Sequence, residues 1–330
     1  MSTCGYRTGV VQDKSRSNWQ NSGARLIAWT AWYPAQRIAS AKPPEPGFFV
    51  SGDVALDAPL AGLSMLPIVL MSHGTGGTAE SLGWLARYLA GAGYVVLAAN
   101  HHGNTGLEPY TAEGFVCWWE RASDLSFLLS YISQDSFFGD RLDLDQTFAV
   151  GFSLGGYTVL KMAGAQSSMD EFQRWRTENG IVDVGPREFP NAGANVSNLI
   201  SSSAAFRASW ARSSDDFTDK RVKSIAAIAP APTVRAFTRS SVSEIAMPVL
   251  LITGGNDAEA PSEHCADWLM AQNVSFDRVD LGREVGHYTF LDFPSDRILI
   301  GKDPLFTDHE GVYRAEVHNQ SAASIHAHFS

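Results

Sequence analysis

Short unbroken apolar runs recur along the chain, separated by stretches with the spacing of amphipathic helices. Residues 25–33 (RLIAWTAWY) predict an early strand that stops at Pro34, residues 41–47 (AKPPEPG) a proline-rich connection, and residues 56–65 (LDAPLAGLSM) a loop. The run at 67–71 (PIVLM) has no polar alternation and therefore no solvent face, which predicts a strand buried on both sides. It enters the glycine-rich turn His73-Gly74-Thr75-Gly76-Gly77. A helix follows over 79–90, with Leu82, Leu85, Ala86 and Leu89 on one face, stopped by Gly91 and Gly93. The alternation continues through a strand at 94–99, a helix at 118–133 (Leu125, Leu128, Leu129 and Ile132 sharing a face), a strand at 147–151 and a helix at 154–163. Strands at 224–229 and 248–253, a helix at 261–272, a strand at 275–281 and a C-terminal helix at 312–329 complete it. Such alternation predicts an α/β fold, a mostly parallel sheet with helices on both faces and its ligand crevice beyond the carboxyl ends of the strands.

The segment 164–223 breaks this rhythm and is too long for a connection. Ser168-x-x-Glu171 is a capping box that opens a short helix closed by Gly180. A loose stretch (GPREFPNAGAN) and a serine-rich, helix-compatible piece to Asp219 follow. We read 164–223 as an inserted lid over the carboxyl edge of a core made by 1–163 and 224–330; a surface excursion clear of the site is the alternative.

Composition narrows the partners. A chain of 330 residues, 45% hydrophobic and 18% charged, suffices for one large α/β domain with an insertion. A net charge of −10 without a basic patch argues against nucleic acid and anionic membranes. No window reaches the ~18 apolar residues of a membrane span, and the first residues lack the pattern of a secretory signal. Cys4, Cys117 and Cys265 are scattered, which points to reduced thiols and a cytoplasmic location. His102 and His264 lack the partnered carboxylate spacing of metal ligands, so neither a metal nor an organic cofactor is expected. Nothing in the sequence indicates an oligomeric state.

The chemistry gathers at the turns. Gly151-Phe152-Ser153-Leu154-Gly155 lies between an apolar strand and a helix, the setting in which a sharp turn lifts a serine hydroxyl out of the sheet. A serine becomes a nucleophile when an imidazole takes its proton, and the imidazole needs a carboxylate to fix its tautomer. Both follow in the order serine, acid, histidine. Asp257 stands in the turn after strand 248–253, with Glu259 as the rival acid, and His287 lies in Gly286-His287-Tyr288. The oxyanion would be held by the N–H of Leu154 and one from the turn at 73–77, Thr75 first and Gly76 second, with His73 propping the turn. Phe152, Trp118, Trp119, His102 and Tyr288 are candidates for the substrate pocket, with packing as the alternative for at least one of the tryptophans. His101 could line it equally. His318, His326 and His328 are expected to be exposed on the last helix.

Six segments together resemble a known family: WYPA (32–35), PIVLMSHGTGG (67–77), NHHGN (100–104), RASDLSFLL (121–129), GFSLGG (151–156) and GHYTF (286–290). The chain resembles the α/β-hydrolases, specifically the platelet-activating-factor-acetylhydrolase-like and dienelactone-hydrolase-like esterases. It departs from dienelactone hydrolases proper, whose nucleophile is cysteine, at Ser153. It departs from the lipoprotein-associated acetylhydrolases, whose acid follows the strand after the elbow, because that strand here ends Ala229-Pro230-Ala231-Pro232. The resemblance implies a cofactor-free serine esterase acting on a small-molecule ester, with an amidase, a lactonase or a non-catalytic binding module as the alternatives.

Overall fold

In the computed structural model, which describes residues 3–37, 42–182 and 185–330, the chain opens with a strand pair, β1 (Thr3–Ser17) and β2 (Ala24–Ala35). Ala41, the first residue of the proline-rich connection, and residues 183–184 of the insertion lie outside the described residues. Strand β2 does not stop at Pro34. Its pairing with the sheet interior ends at Trp32, so Pro34 sits where its missing N–H is needed by no inner neighbour. The stretch 56–65 is loop except at its first residue, which ends the short strand β3 (Val54–Leu56).

The core elements then follow: β4 (Leu66–Ser72), α1 (Gly83–Gly91), β5 (Val95–Asn100), α2 (Ala112–Val116), α3 (Glu120–Ile132), β6 (Leu142–Phe152) and α4 (Leu154–Met162). Helix α1 starts later than its periodicity suggests because residues 79–82 form a tight 3₁₀ turn. The insertion contributes α5 (Met169–Glu178), α6 (Val196–Ser202) and α7 (Ala204–Trp210). After it come β7 (Val222–Ile228), α8 (Arg239–Ser243), β8 (Val249–Thr253), α9 (Ala266–Gln272), β9 (Asp277–Asp280) and α10 (Arg314–Phe329).

Among the described residues the strands form one nine-stranded sheet in the order β3-β1-β2-β5-β4-β6-β7-β8-β9. From β5 to β9 every pair is parallel, while β2 is antiparallel to both its neighbours. Alternate residues feed two cores. Ile68, Leu70, Val95 and Leu97 face α3, α4 and α9, whereas Val69, Met71, Val96 and Ala98 face α1 and α10. A third cluster joins Phe115, Val116 and Trp119 to Ala192, Ala205 and Phe206, which seats the insertion on α2 and the start of α3.

Helix α5 starts at Ser168, whose hydroxyl accepts from the Glu171 N–H. The box is only half closed, because Ser168 donates its own N–H to the Ala236 carbonyl and Glu171 pairs with Arg174. The histidines of α10 are not exposed as expected. His318 is buried, its ring stacked 4.2 Å from Trp84, and His326 and His328 are half-buried.

Candidate active site

Strand β6 turns into α4 through a single residue, Ser153, at φ 56° and ψ −117°. Such backbone is costly for a residue with a side chain and persists only where the surroundings enforce it. The flanking glycines are required by contact: a Cβ on Gly151 would stand 2.0 Å from the Gly155 carbonyl oxygen, and one on Gly155 2.0 Å from that of Ser72. Ser153 is pinned by its N–H to Ile228 O at 2.9 Å, and its carbonyl accepts from Gly156 and Ala231.

The Ser153 hydroxyl lies 3.0 Å from His287 Nε2, and His287 Nδ1 lies 2.8 Å from Asp257 Oδ2. A carboxylate only accepts, so the proton sits on Nδ1 and leaves Nε2 free to accept from the serine. Asp257 is held in turn by the N–H groups of Glu259 (3.1 Å) and Ala260 (2.7 Å) on its other oxygen. Gly254 lets the histidine loop approach β8, since a Cβ there would meet Val285 O at 2.3 Å. Exposures of 8% for Ser153, 8% for Asp257 and 6% for His287 make the three a nearly dry relay. The rival acid, Glu259, sits beside Tyr288 instead.

The turn at 73–77 packs on the elbow: a Cβ on Gly74 would lie 3.4 Å from Ser153 Cβ. The Thr75 N–H meets no acceptor among the described residues, and Leu154 opens α4, where N–H groups have no intrahelical partner. Gly76, the second choice as donor, is corrected by the structure. Its N–H is spent on Asn104 Oδ1 at 2.7 Å and is not available to a ligand.

Beneath this turn lies a buried network that spacing alone did not reveal. His73 accepts the His101 N–H on Nε2 and so donates Nδ1–H to Gly74 O at 2.7 Å. His101 bridges Ser72 Oγ (2.9 Å) and Asp124 (3.0 Å). Burial, reinforced by the Arg121 charge, pushes both imidazoles down, His101 to about 3, and keeps them neutral. Arg121 donates to the His73 carbonyl, and burial lowers it to about 9. Asn104, Arg121 and Asp124 all fall inside segments that carry the family resemblance, and their only signal was polarity at positions otherwise read as turn or helix.

Of the expected pocket residues, Phe152 is buried with its ring 4.7 Å from that of His287, which it backs. Tyr288 is half-buried beside His287, and Trp118 is half-buried between Tyr157 and Phe172. Trp119 is fully buried, its indole N–H on Ser209 and its ring against Trp210, so it packs the insertion and does not line a pocket. His102 is likewise engaged on both nitrogens, by Glu108 and by the Trp19 N–H. From the insertion, Arg187 lies 5.0 Å over the Tyr288 ring, Glu188 approaches Gly76, and Phe189 stacks on Phe115. Residues 187–189 thus run from the histidine loop to the 73–77 turn. No group of residues suited to hold a metal occurs among the described residues, and no helix there is long and apolar enough to cross a membrane.

A family model described as the alpha/beta hydrolase family matches residues 68–299. No curated protein matches the chain in sequence. Among solved structures, a ferulic acid esterase from Streptomyces cinnamoneus superposes with a TM-score of 0.65 at 19% identity, over 99% of this chain and 89% of that one. A putative dienelactone hydrolase from Klebsiella pneumoniae subsp. pneumoniae superposes with a TM-score of 0.52 at 14% identity, over 98% of each chain. At these identities the likeness is one of fold.

Proposed function

The chain belongs to the alpha/beta hydrolase family, and from that premise we propose that it is a serine hydrolase cleaving carboxylic esters through an acyl-enzyme. The observation that carries this reading is the buried relay Asp257–His287–Ser153, with contacts of 2.8 and 3.0 Å, on an elbow whose backbone is held at positive φ. Ser153 Oγ attacks the ester carbonyl while His287 Nε2 takes its proton. Asp257 holds Nδ1–H and stabilises the imidazolium. The oxyanion is received by the Thr75 and Leu154 N–H groups, and collapse expels the alcohol with the proton from His287. Water, deprotonated by the same imidazole, then releases the acid and restores Ser153. No step calls for a metal or organic cofactor.

Within this proposal 164–223 is the lid. Ser153 is only 8% exposed, and the 187–189 stretch touches both sides of the site, so an ester enters when that stretch yields. Tyr288 offers half-buried aromatic surface beside His287, Phe152 backs that ring, and Trp118 lies half-buried against Tyr157 of α4. The choice of ester over amide or lactone is supported by one structural neighbour, a ferulic acid esterase.

The test is the initial rate on p-nitrophenyl esters from acetate to decanoate, for wild type and Ser153→Ala, alongside labelling with a fluorophosphonate. Wild type is expected to hydrolyse at least the short esters and to take the label, and Ser153→Ala to do neither. Hydrolysis retained by Ser153→Ala, or none by wild type on any ester, sinks the reading.

A further inference from the structure

A second cleft, of about 240 Å³, opens where α5 meets the core, lined by residues of α5, α8, α9 and the turn at 232–236. None of the proposed catalytic residues lines it. Its centre is Arg235, whose guanidinium carbon lies 4.8 Å from the Trp268 ring and 5.5 Å from the Trp175 ring, so the cation sits between two indoles. Aromatic faces attract a guanidinium but supply no hydrogen-bond acceptor. No carboxylate stands within ion-pair distance of Arg235 among the described residues, and its Nε is buried without a partner. The two indoles share that condition. Trp175 and Trp268 are 6% and 9% exposed, and the Nε1–H of each is buried with no acceptor.

Buried donors in a folded protein are nearly always paired, so three unpaired N–H groups around one cleft ask for an explanation. All three donate and none accepts, which specifies an acceptor-rich guest. Charge agrees. Glu171 is neutralised by Arg174, whose Nη1 donates to both of its oxygens at 2.8 and 2.9 Å, leaving Arg235 and Arg239 against Glu178. Arg239 has only a long contact to Gln272, at 3.4 Å. Burial and the Arg239 charge both push the Arg235 guanidinium below its ordinary value, a strain that an anion would relieve.

We propose that this cleft is a binding site for a small, planar organic carboxylate, gripped by the Arg235 fork and flanked by Trp175 and Trp268. A carboxylate matches the planar guanidinium in two parallel hydrogen bonds. One surplus positive charge suits a monoanion, and Glu178 at the rim disfavours a dianion such as phosphate. The volume falls short of the ~300 Å³ at which drug-sized pockets begin, which sets the guest at about one ring. Arg235 Nε and both indole N–H groups are covered, so α5 and α9 must part slightly to offer them to a guest. The site does not depend on the assignment of Ser153.

The test is isothermal titration of the full chain with benzoate, and with benzamide and inorganic phosphate as arms. Benzoate is expected to bind saturably at one site, benzamide at least tenfold more weakly for want of the charge, and phosphate more weakly than benzoate. Arg235→Met should weaken benzoate at least tenfold. Trp268→Phe, which keeps the packing and removes one donor, should weaken it a few-fold, so the proposal remains testable if Arg235→Met fails to fold. Equal binding of benzoate and benzamide, phosphate binding as tightly as benzoate, no saturable heat with benzoate, or unchanged affinity in the two variants would each overturn the site.

Discussion

Asn104 holds the 73–77 turn from the side, and its effect on the proposed reaction is separable from its effect on folding. Its Oδ1 accepts the Gly76 N–H at 2.7 Å while its Nδ2 donates to Gly114 O at 3.1 Å, so one buried amide ties the 73–77 turn to α2. Thr75, one residue before and the donor in the proposed reaction, lies between this tether and the donation of Arg121 to the His73 carbonyl. Losing an oxyanion donor outright costs about 10²–10³ in rate, and loosening one costs less. Asn104→Ala is therefore expected to lower kcat about tenfold, with KM nearly unchanged, in saturation kinetics on the best p-nitrophenyl ester. A rise in KM at constant kcat would mean that Asn104 shapes substrate binding instead. Ser153, Asp257 and His287 were legible as candidates because each follows a strand of the sheet in a fixed order, and the structure brings the three within hydrogen-bond distance. Asn104 was not, because a side chain that serves a backbone N–H leaves no spacing rule behind.

At the scale of elements, β1 is where local propensity and tertiary structure disagree. Its sequence, TCGYRTGVVQDKSRS, has two glycines and a charged second half, and predicts no strand. The pairing explains the glycines. Gly5 stands opposite Tyr33 and Gly9 opposite Trp29, and a Cβ would come within 2.2 Å of the first ring and 2.5 Å of the second. The aromatic rings of β2 lie across the glycines and fill the space that β1 leaves. Gly9→Val raises strand propensity yet collides with Trp29, so the two effects can be weighed. The collision is expected to win, with a loss of about 1–3 kcal/mol in urea unfolding; a gain in stability would show that Trp29 moves aside freely. The inner strands β4, β5, β7 and β8, by contrast, were readable to within a residue or two, because burial on both faces leaves continuous apolar runs. In the insertion only α5 was clear, since Ser168 marks its start and Gly180, at φ 64°, its end.

Across the whole molecule, three histidines are buried in neutral form at two points of the fold: His73 and His101 under the 73–77 turn, and His318 between α10 and α1. Its place on the last helix suggested an exposed His318, because the Trp84 ring that covers it comes from another element. Burial lowers His101 and His318 to about 3 and His73 well below its ordinary 6.5. In the unfolded chain all three take up protons near 6.5. The folded state refuses those protons until far lower pH, so stability is full above 6.5 and is lost as pH falls from there toward 3. Each group contributes up to about 1.4 kcal/mol per pH unit in that window. Between pH 6.5 and 5 the lowered carboxylates have yet to titrate in either state, so the lowered histidines, the half-buried His328 included, set the acid loss, opposed by Asp292, which burial raises. Against a total stability of about 5–15 kcal/mol, the combined loss is large. His318 donates Nε2–H to Thr289 O at 2.9 Å, a bond that glutamine could keep without titrating. His318→Gln is therefore expected to flatten the dependence of urea-unfolding free energy on pH by up to about 1.4 kcal/mol per pH unit between 6.5 and 5. An unchanged slope would mean that His318 does not stay neutral in the folded protein, and that the acid limb belongs to the other buried histidines.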